Sequence, residues 1–495
     1  MILTLLVVPL LMALVVLLVR DDPTRRRLLL ATAAVHGGLT LAAWHFRPKP
    51  VLDGWLALDS IGLLFLSITS ILFFFTSLYA VGYLGREDGG ARTDFVEGLP
   101  FANASEAVFI ACLLFLLDTM TLVTLCQRFG LLWVAIEATT LASAPLIYFH
   151  RHHRSLEATW KYLLICSVGI ALALLGNFFL AVAASRPGAE PVPLVVDTLM
   201  SHARHLNPVW LKAAFIFFLV GYGTKMGLAP LHTWKPDAYS ESPSVVSALL
   251  AGALSNCAFV AILRAMQVCV AAGLGPFCRE LLLGFGLISM LVAAVFIVGQ
   301  TDYKRLLAFS SVEHMGILAF GVGIGGGATF GALLHSVNHS LVKGSLFLVA
   351  GNILAVYKTK RVAQVRGLRQ VLTLSGTLWL LGFLAITGTP PFGTFVSELT
   401  IFTAAVQGNY VWFSALYLAL LAIIFIGMAQ AVLSMTLGLP EGIQDGTAQS
   451  LAKPEARLAV WPPLALCLLV LLLGLYLPPG LNQVLHDAAR GLGGF

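Results

Sequence analysis

Three residues in the apolar stretch ALLHSVNHSLVKGSLFL stand four apart: His335, His339 and Lys343. On a helix that turns about 100° and rises about 1.5 Å per residue, they drift only about 80° and climb about 12 Å. They therefore form one polar stripe on an otherwise apolar helix. Such a stripe suits proton relay. Histidine exchanges a proton near neutral pH, and a lysine taken out of water becomes a weaker base. A metal site would want two histidines with a carboxylate. A lysine in the same stripe repels a cation, so no metal is expected. The same spacing also reads as core histidines satisfied by their neighbours.

Other ionisable residues lie inside apolar runs: Glu137 in GLLWVAIEATTLASA, Glu313 and His314 in FSSVEHMGIL, Lys225 just before a proline-rich break and Glu398 just after another. A charge at the centre of a bilayer costs about 2.5–3.5 kcal/mol even on lenient scales, so such residues usually face the protein interior and have a task there. A carboxylate beside a buried lysine holds the proton on it, and moving the carboxylate away releases it. Glu137 and Lys225 read either as such a switch or as a static salt bridge. Asp118 is also within a span and has no evident task. Arg264, near a span end, is expected to snorkel to the interface.

The elements that hold these groups follow from composition. The chain has 495 residues, 58% hydrophobic and 11% charged, with mean hydropathy +0.89. Soluble proteins carry about 25% charge. A soluble enzyme, a disordered protein and a nucleic-acid binder are all excluded. The seven cysteines form no CxxC pair, no GxGxxG follows a strand and no Walker A sequence is present. No cofactor is expected in the chain, since clusters and nucleotides need such ligand patterns.

Apolar runs place fourteen spans, near 2–19, 28–46, 57–84, 105–126, 130–149, 158–184, 209–229, 243–272, 277–299, 304–324, 327–355, 372–407, 410–437 and 457–478. The N-terminal run lacks a basic flank and a cleavage site and reads as span 1. An even number puts both termini on one side. Odd-numbered loops carry nineteen Lys and Arg, from Arg20 to Arg457 and including Lys235, Lys304 and Lys453; even-numbered loops and the C-terminus carry eight, including Arg186. The positive-inside rule places the odd loops in the cytoplasm and both termini outside.

Spans 7 and 12 are interrupted, the first near Pro230 and Pro236, the second at Gly388, Pro390, Pro391 and Gly393. Broken backbone at membrane depth survives only where it lines a cavity or is buried in protein. Matched breaks five helices apart point to two inverted repeats, helices 4–8 (105–272) and 9–13 (273–437), after an N-terminal segment 1–104 and before a loop and last helix, 438–495. Isolated proline kinks are the alternative.

GYGTKMGLAPLHTWKPDAYSESPS, DYKRLLAFSSVEHMG, HSVNHSLVKGSLFL and GTPPFGTFVSE together resemble the signatures of the antiporter-like membrane subunits of respiratory complex I and Mrp-type sodium/proton antiporters. EATTLASA, WKYLLICSVGIALALLG and SSVEHMG look most like component F of hydrogenase-4. The resemblance implies an all-α polytopic protein that moves protons and performs no redox chemistry itself. It implies partners: other antiporter-like and small membrane subunits, and soluble hydrogenase-like subunits holding iron–sulfur clusters and a NiFe centre, in the bacterial cytoplasmic (inner) membrane. It implies a proton path over Glu137, Lys225, His232, Asp237, Glu313, His314, His335, His339, Lys343 and Glu398. Asn256 departs from the family, which often has a lysine there; asparagine holds water but takes up no proton. Tyr239 replaces a usual histidine, and Lys235 a commonly apolar residue. A complex I subunit, an Mrp antiporter subunit, an ion-coupled partner of an inorganic-carbon uptake module and an anchor that no longer pumps are the alternative readings.

Overall fold

A computed structural model describes residues 1–87, 92–95, 97–185, 192–438 and 454–494. The loop cations Arg186 and Lys453 lie outside them. The fold is a helical bundle. Its helices are α1 (Ile2–Leu18), α2 (Asp22–His45), α3 (Ser60–Leu84), α4 (Glu106–Leu125), α5 (Phe129–Ile147), α6 (His153–Ala184), α7a (Pro208–Met226) and α7b (Trp234–Glu241). After these come α8 (Ser244–Ala271), α9 (Gly275–Ile297), α10 (Tyr303–Ile324), α11 (Gly327–Tyr357), α12a (Thr373–Ile386), α12b (Gly393–Gln407), α13 (Val411–Leu437), α14 (Arg457–Leu475) and α15 (Pro479–Arg490). Among the described residues twelve helices are long and apolar enough to cross a membrane, and α1 and α12a are shorter apolar helices.

Polar residues at the membrane edges start these helices. Asp21, Asp59, Ser105, Asn207 and Asp302 each accept a hydrogen bond from a backbone N–H of the first turn, satisfying donors that have no helical partner. Both expected interruptions are present, α7a ending before α7b and α12a before α12b. Gly227 closes α7a at φ +83°, a conformation that favours glycine. Pro236 sits in the first turn of α7b, where its missing N–H leaves no gap in the helical ladder.

The apolar windows of α8 and α10 are wholly buried, whereas α6, α9, α13 and α14 leave more than half of theirs incompletely buried. The inner helices can therefore hold polar groups out of contact with lipid. Within α8, residues Leu250–Leu254 form one π-helical turn. There the Leu250 carbonyl accepts the Ser255 N–H, and it also accepts from the Tyr239 hydroxyl at 2.9 Å and the Ser255 hydroxyl at 3.2 Å. The tyrosine that departs from the family pattern thus stabilises the bulge.

Three expectations are corrected. Arg264 does not snorkel: it is fully buried and donates to Asp59 at 3.1 and 3.2 Å, Gln127 at 2.9 Å and the Thr124 carbonyl at 2.9 Å. It clamps α8 to the start of α3 and the end of α4. Lys235 and Lys304, counted as solvated loop cations, are buried. Their ammonium groups satisfy helix-end and loop carbonyls, Met226 at 2.7 Å and Ser242 at 2.6 Å. Finally, the segment 438–495 holds a second helix beyond the one expected there. The amphipathic helix α15 buries Val484, Leu485, Ala488 and Ala489 against α3 and α11.

Candidate functional site

Lys225 lies in the last turn of α7a, where a cation complements the helix dipole. The carbonyls exposed by the break are taken up by the first residues of α7b: the Trp234 indole donates to Thr224 O at 2.9 Å and Lys235 to Met226 O. The fully buried Lys225 ammonium donates to the Thr140 hydroxyl at 2.8 Å and to the Tyr162 hydroxyl. Thr140 in turn donates to Glu137 Oε2 at 3.3 Å, and Ser167 donates to Glu137 Oε1 at 3.2 Å. Glu137 and Lys225 are thus joined through a hydroxyl. Glu137 is half-buried and Ser167 exposed, so the carboxylate stands at the rim of the bundle.

Asn256 lies two residues beyond the π turn of α8. Its amide donates to Gly252 O at 2.9 Å and to the Ser340 hydroxyl of α11 at 2.8 Å. Its buried Oδ1 has no hydrogen-bond partner among the described residues. Asn256 therefore ties the helix after the first break to the one carrying the histidine stripe.

On α11, His335, His339 and Lys343 are all fully buried. His314 of α10 stands at their centre, its ring 5.0 Å from both His335 and His339. Nδ1 of His314 is 2.8 Å from Nε2 of His335, whose Nδ1 is 3.0 Å from the Ser397 hydroxyl of α12b. Ser397 itself donates to Thr394 O at 2.8 Å. It thus accepts from His335, and the ring proton of His314 points at His335. Nε2 of His314 is left bare, 3.9 Å from Glu313 Oε2, which accepts from Ser310 at 3.3 Å. Both ring nitrogens of His339 lack a partner among the described residues. Lys343 turns aside and donates to Leu307 O of α10 at 2.8 Å.

Glu398 occupies the second break. Gly388 there has φ +61°, and an added Cβ would stand 2.0 Å from Glu398 Oε2, so only glycine allows both the turn and the carboxylate. Glu398 Oε1 is buried without a partner. The carboxyl borders a cavity of about 360 Å³ that Gly388, Pro390 and Tyr417 also line.

Three residues stand apart. His232 packs on Phe296 and Phe309, with ring centroids 6.5 and 6.3 Å away. Asp237 lies at the helix ends, paired with Lys161 at 3.0 Å and Arg305 at 2.7 Å. Asp118 keeps one buried oxygen without a partner. At the odd-loop end a second cavity of about 660 Å³ is lined by His152, Glu241, Lys304 and Lys360, among others. Burial lowers the pKa of His152 there, against the pull of Glu241 and Asp94. Sequence reasoning missed Thr140, Tyr162, Ser340 and Ser397. Hydroxyl residues are common in apolar helices, and spacing along one helix does not reveal which of them meets a charged group on another.

Residues 127–426 match the family described as NADH:quinone oxidoreductase/Mrp antiporter, TM. The hydrogenase-4 component F homolog of Methylacidiphilum infernorum (isolate V4) is 36% identical over 423 residues, 85% of this chain and 85% of that protein. In the structure of the membrane-bound sulfane sulfur reductase, an archaeal respiratory membrane complex, one chain superposes with TM-score 0.84 at 19% identity, covering 99% of this chain and 97% of that one. A chain of the Mrp complex from Dietzia sp. DQ12-45-1b gives TM-score 0.82 at 20% identity, covering 99% and 96%.

Proposed function

Because this chain belongs to the NADH:quinone oxidoreductase/Mrp antiporter transmembrane family, we propose that it is the proton-translocating membrane subunit of a multisubunit redox-driven complex of the hydrogenase-4 type. One observation carries this reading. Lys225, His314, His335, His339 and Lys343 are each at most 1% exposed, on helices long and apolar enough to cross a membrane. A purely mechanical anchor has no use for so many costly groups.

In this reading Glu137 receives the signal from a neighbouring subunit, since it stands at the rim. Motion of Glu137 changes the hold of Thr140 on Lys225 and with it the affinity of Lys225 for its proton. The proton crosses by way of Asn256 and held water to His339, and leaves through the His314–His335 pair and Glu398. Glu313 tunes His314, and Lys343 sets the local charge. His232 and Asp237 sit beside the first break, His232 guarding access and Asp237 locking α7b to its neighbours. Residues 105–272 and 273–437 act as two inverted half-channels. Electron transfer in soluble partner subunits, with their iron–sulfur and NiFe centres, supplies the energy. Moving one proton against about 180 mV costs about 4 kcal/mol.

Asn256 favours a second reading, an anchor that no longer pumps, because an amide cannot carry a proton. Lys225→Met separates the two. It keeps the bulk and removes the carrier. Proton uptake into inverted vesicles, driven by the intact complex, is expected to fall at least about tenfold with assembly intact, on the scale of losing a general acid–base group. Undiminished uptake rejects the pumping path.

A further inference from the structure

His314 of α10, His335 of α11 and Glu398 of α12b each present one ligand atom, and the three atoms lie within 4.8 Å of one another. We propose that these residues form a binding site for a divalent transition metal of the zinc class, and that filling it blocks proton movement. The block, though not the binding, rests on the pumping reading above.

The donor set selects the ion. Two imidazoles and a carboxylate suit zinc and its neighbours, whereas magnesium and calcium want oxygen ligands. His314 Nδ1 and His335 Nε2, now 2.8 Å apart, share a proton. A tetrahedral ion at ordinary zinc–nitrogen distances holds two nitrogens about 3.3 Å apart, so the ion takes that proton's place after a small spreading of the rings, and the proton passes to Nε2 of His314, on the side of Glu313. Glu398 Oε1 is buried with no hydrogen bond to give up. The cavity beside it, about 360 Å³, gives the carboxyl room to close on the ion.

The surroundings complete the site. A metal-bound histidine normally has its other nitrogen fixed by a hydroxyl or carboxylate. His335 Nδ1 is so fixed, with Ser397 at 3.0 Å; His314 Nε2 makes no hydrogen bond among the described residues and has Glu313 Oε2 3.9 Å away, a small shift from bonding. Glu313 and Glu398 together balance the double charge of the ion. The lysine that argued against a metal on the stripe is removed from it. Lys343 lies two turns further along α11, about 12 Å by helical rise from His335, and gives its ammonium to Leu307 O.

The test uses the full chain in its complex, purified through a tag without histidine and equilibrated with Zn²⁺ or Co²⁺. We expect one tightly held Zn²⁺ per chain, held about tenfold or more weakly in Glu398→Gln and lost in His335→Ala, since a missing ligand costs at least as much as a missing outer partner. Bound Co²⁺ is expected to give visible bands of a tetrahedral nitrogen–oxygen site that both variants lack. His202→Ala, in an exposed loop, serves as the control and changes neither. Equal zinc content and affinity in wild type, Glu398→Gln and His335→Ala overturns the site. In vesicles, zinc at site-filling concentration is expected to stop pumping by wild type. Pumping that continues with the site filled overturns the block. A complex that fails to pump even without zinc, yet shows the cobalt bands, rejects the pumping reading and supports the site.

Discussion

The Thr140 hydroxyl stands between Glu137 and Lys225, 3.3 Å from the carboxylate and 2.8 Å from the ammonium. It accepts from the lysine and donates to the glutamate, so the two charges feel each other through one polarised bond. Removing the hydroxyl uncouples them without opening a cavity. Thr140→Val is expected to lower redox-driven proton uptake about tenfold while Thr140→Ser stays near wild type, a hydrogen bond to a charged group contributing about 1.5–3 kcal/mol. Equal uptake by the Val and Ser variants removes Thr140 from the coupling.

At Asn256 the expectation is set by its bare Oδ1 and its bond to Ser340. Asn256→Leu offers a water nothing to bond to, so uptake should fall by more than about tenfold. Asn256→Lys restores the residue common in relatives and should pump at least half as well as wild type. If neither substitution alters proton movement, no proton crosses this subunit.

Arg264 tests packing separately from transport. It bonds Asp59, Gln127 and Thr124 at once from a fully buried position. Breaking a buried pair costs about 3–5 kcal/mol; Asp59 keeps some contact with water, which puts Arg264→Met near the lower end. Thermal melting of the purified complex should shift down clearly, while uptake per assembled complex stays the same. An unchanged melting temperature would show that the clamp carries no net stability.

Orientation is checked with a reporter. From the cation bias the loop around 358–369 is expected in the cytoplasm and the C-terminus outside. A C-terminal reporter that works only after export should be active. Activity of a cytoplasm-only reporter at the same position reverses the orientation, and with it the direction of the proposed path.

The helices and both breaks were legible in the sequence because lipid imposes a crude rule: long apolar runs span, and Pro or Gly inside them must be sheltered. His335, His339 and Lys343 were legible as one stripe because they share one helix. Their real partners were not. His314 sits on another helix, Ser397 on a third, and Lys343 leaves the histidines for a carbonyl. Arg264 misled for a related reason: its place near a helix end suggested the interface, while Asp59, more than two hundred residues earlier in the chain, draws it inward. Helix α15 was missed because its apolar face is too short to register as a span.

The π turn at Leu250–Leu254 makes α8 a helix with two phases. One residue more than an α-helix needs sits in that turn, and each helical residue accounts for about 100° of rotation. Asn256 and Arg264 meet Ser340 and Asp59 only because of this offset. Tightening this turn to ordinary helix at unchanged length would swing every later side chain of α8 about a quarter-turn away from its partner. It would undo the bridge and the clamp together while altering neither residue. A one-residue deletion is therefore borne better inside this turn than anywhere else in α8.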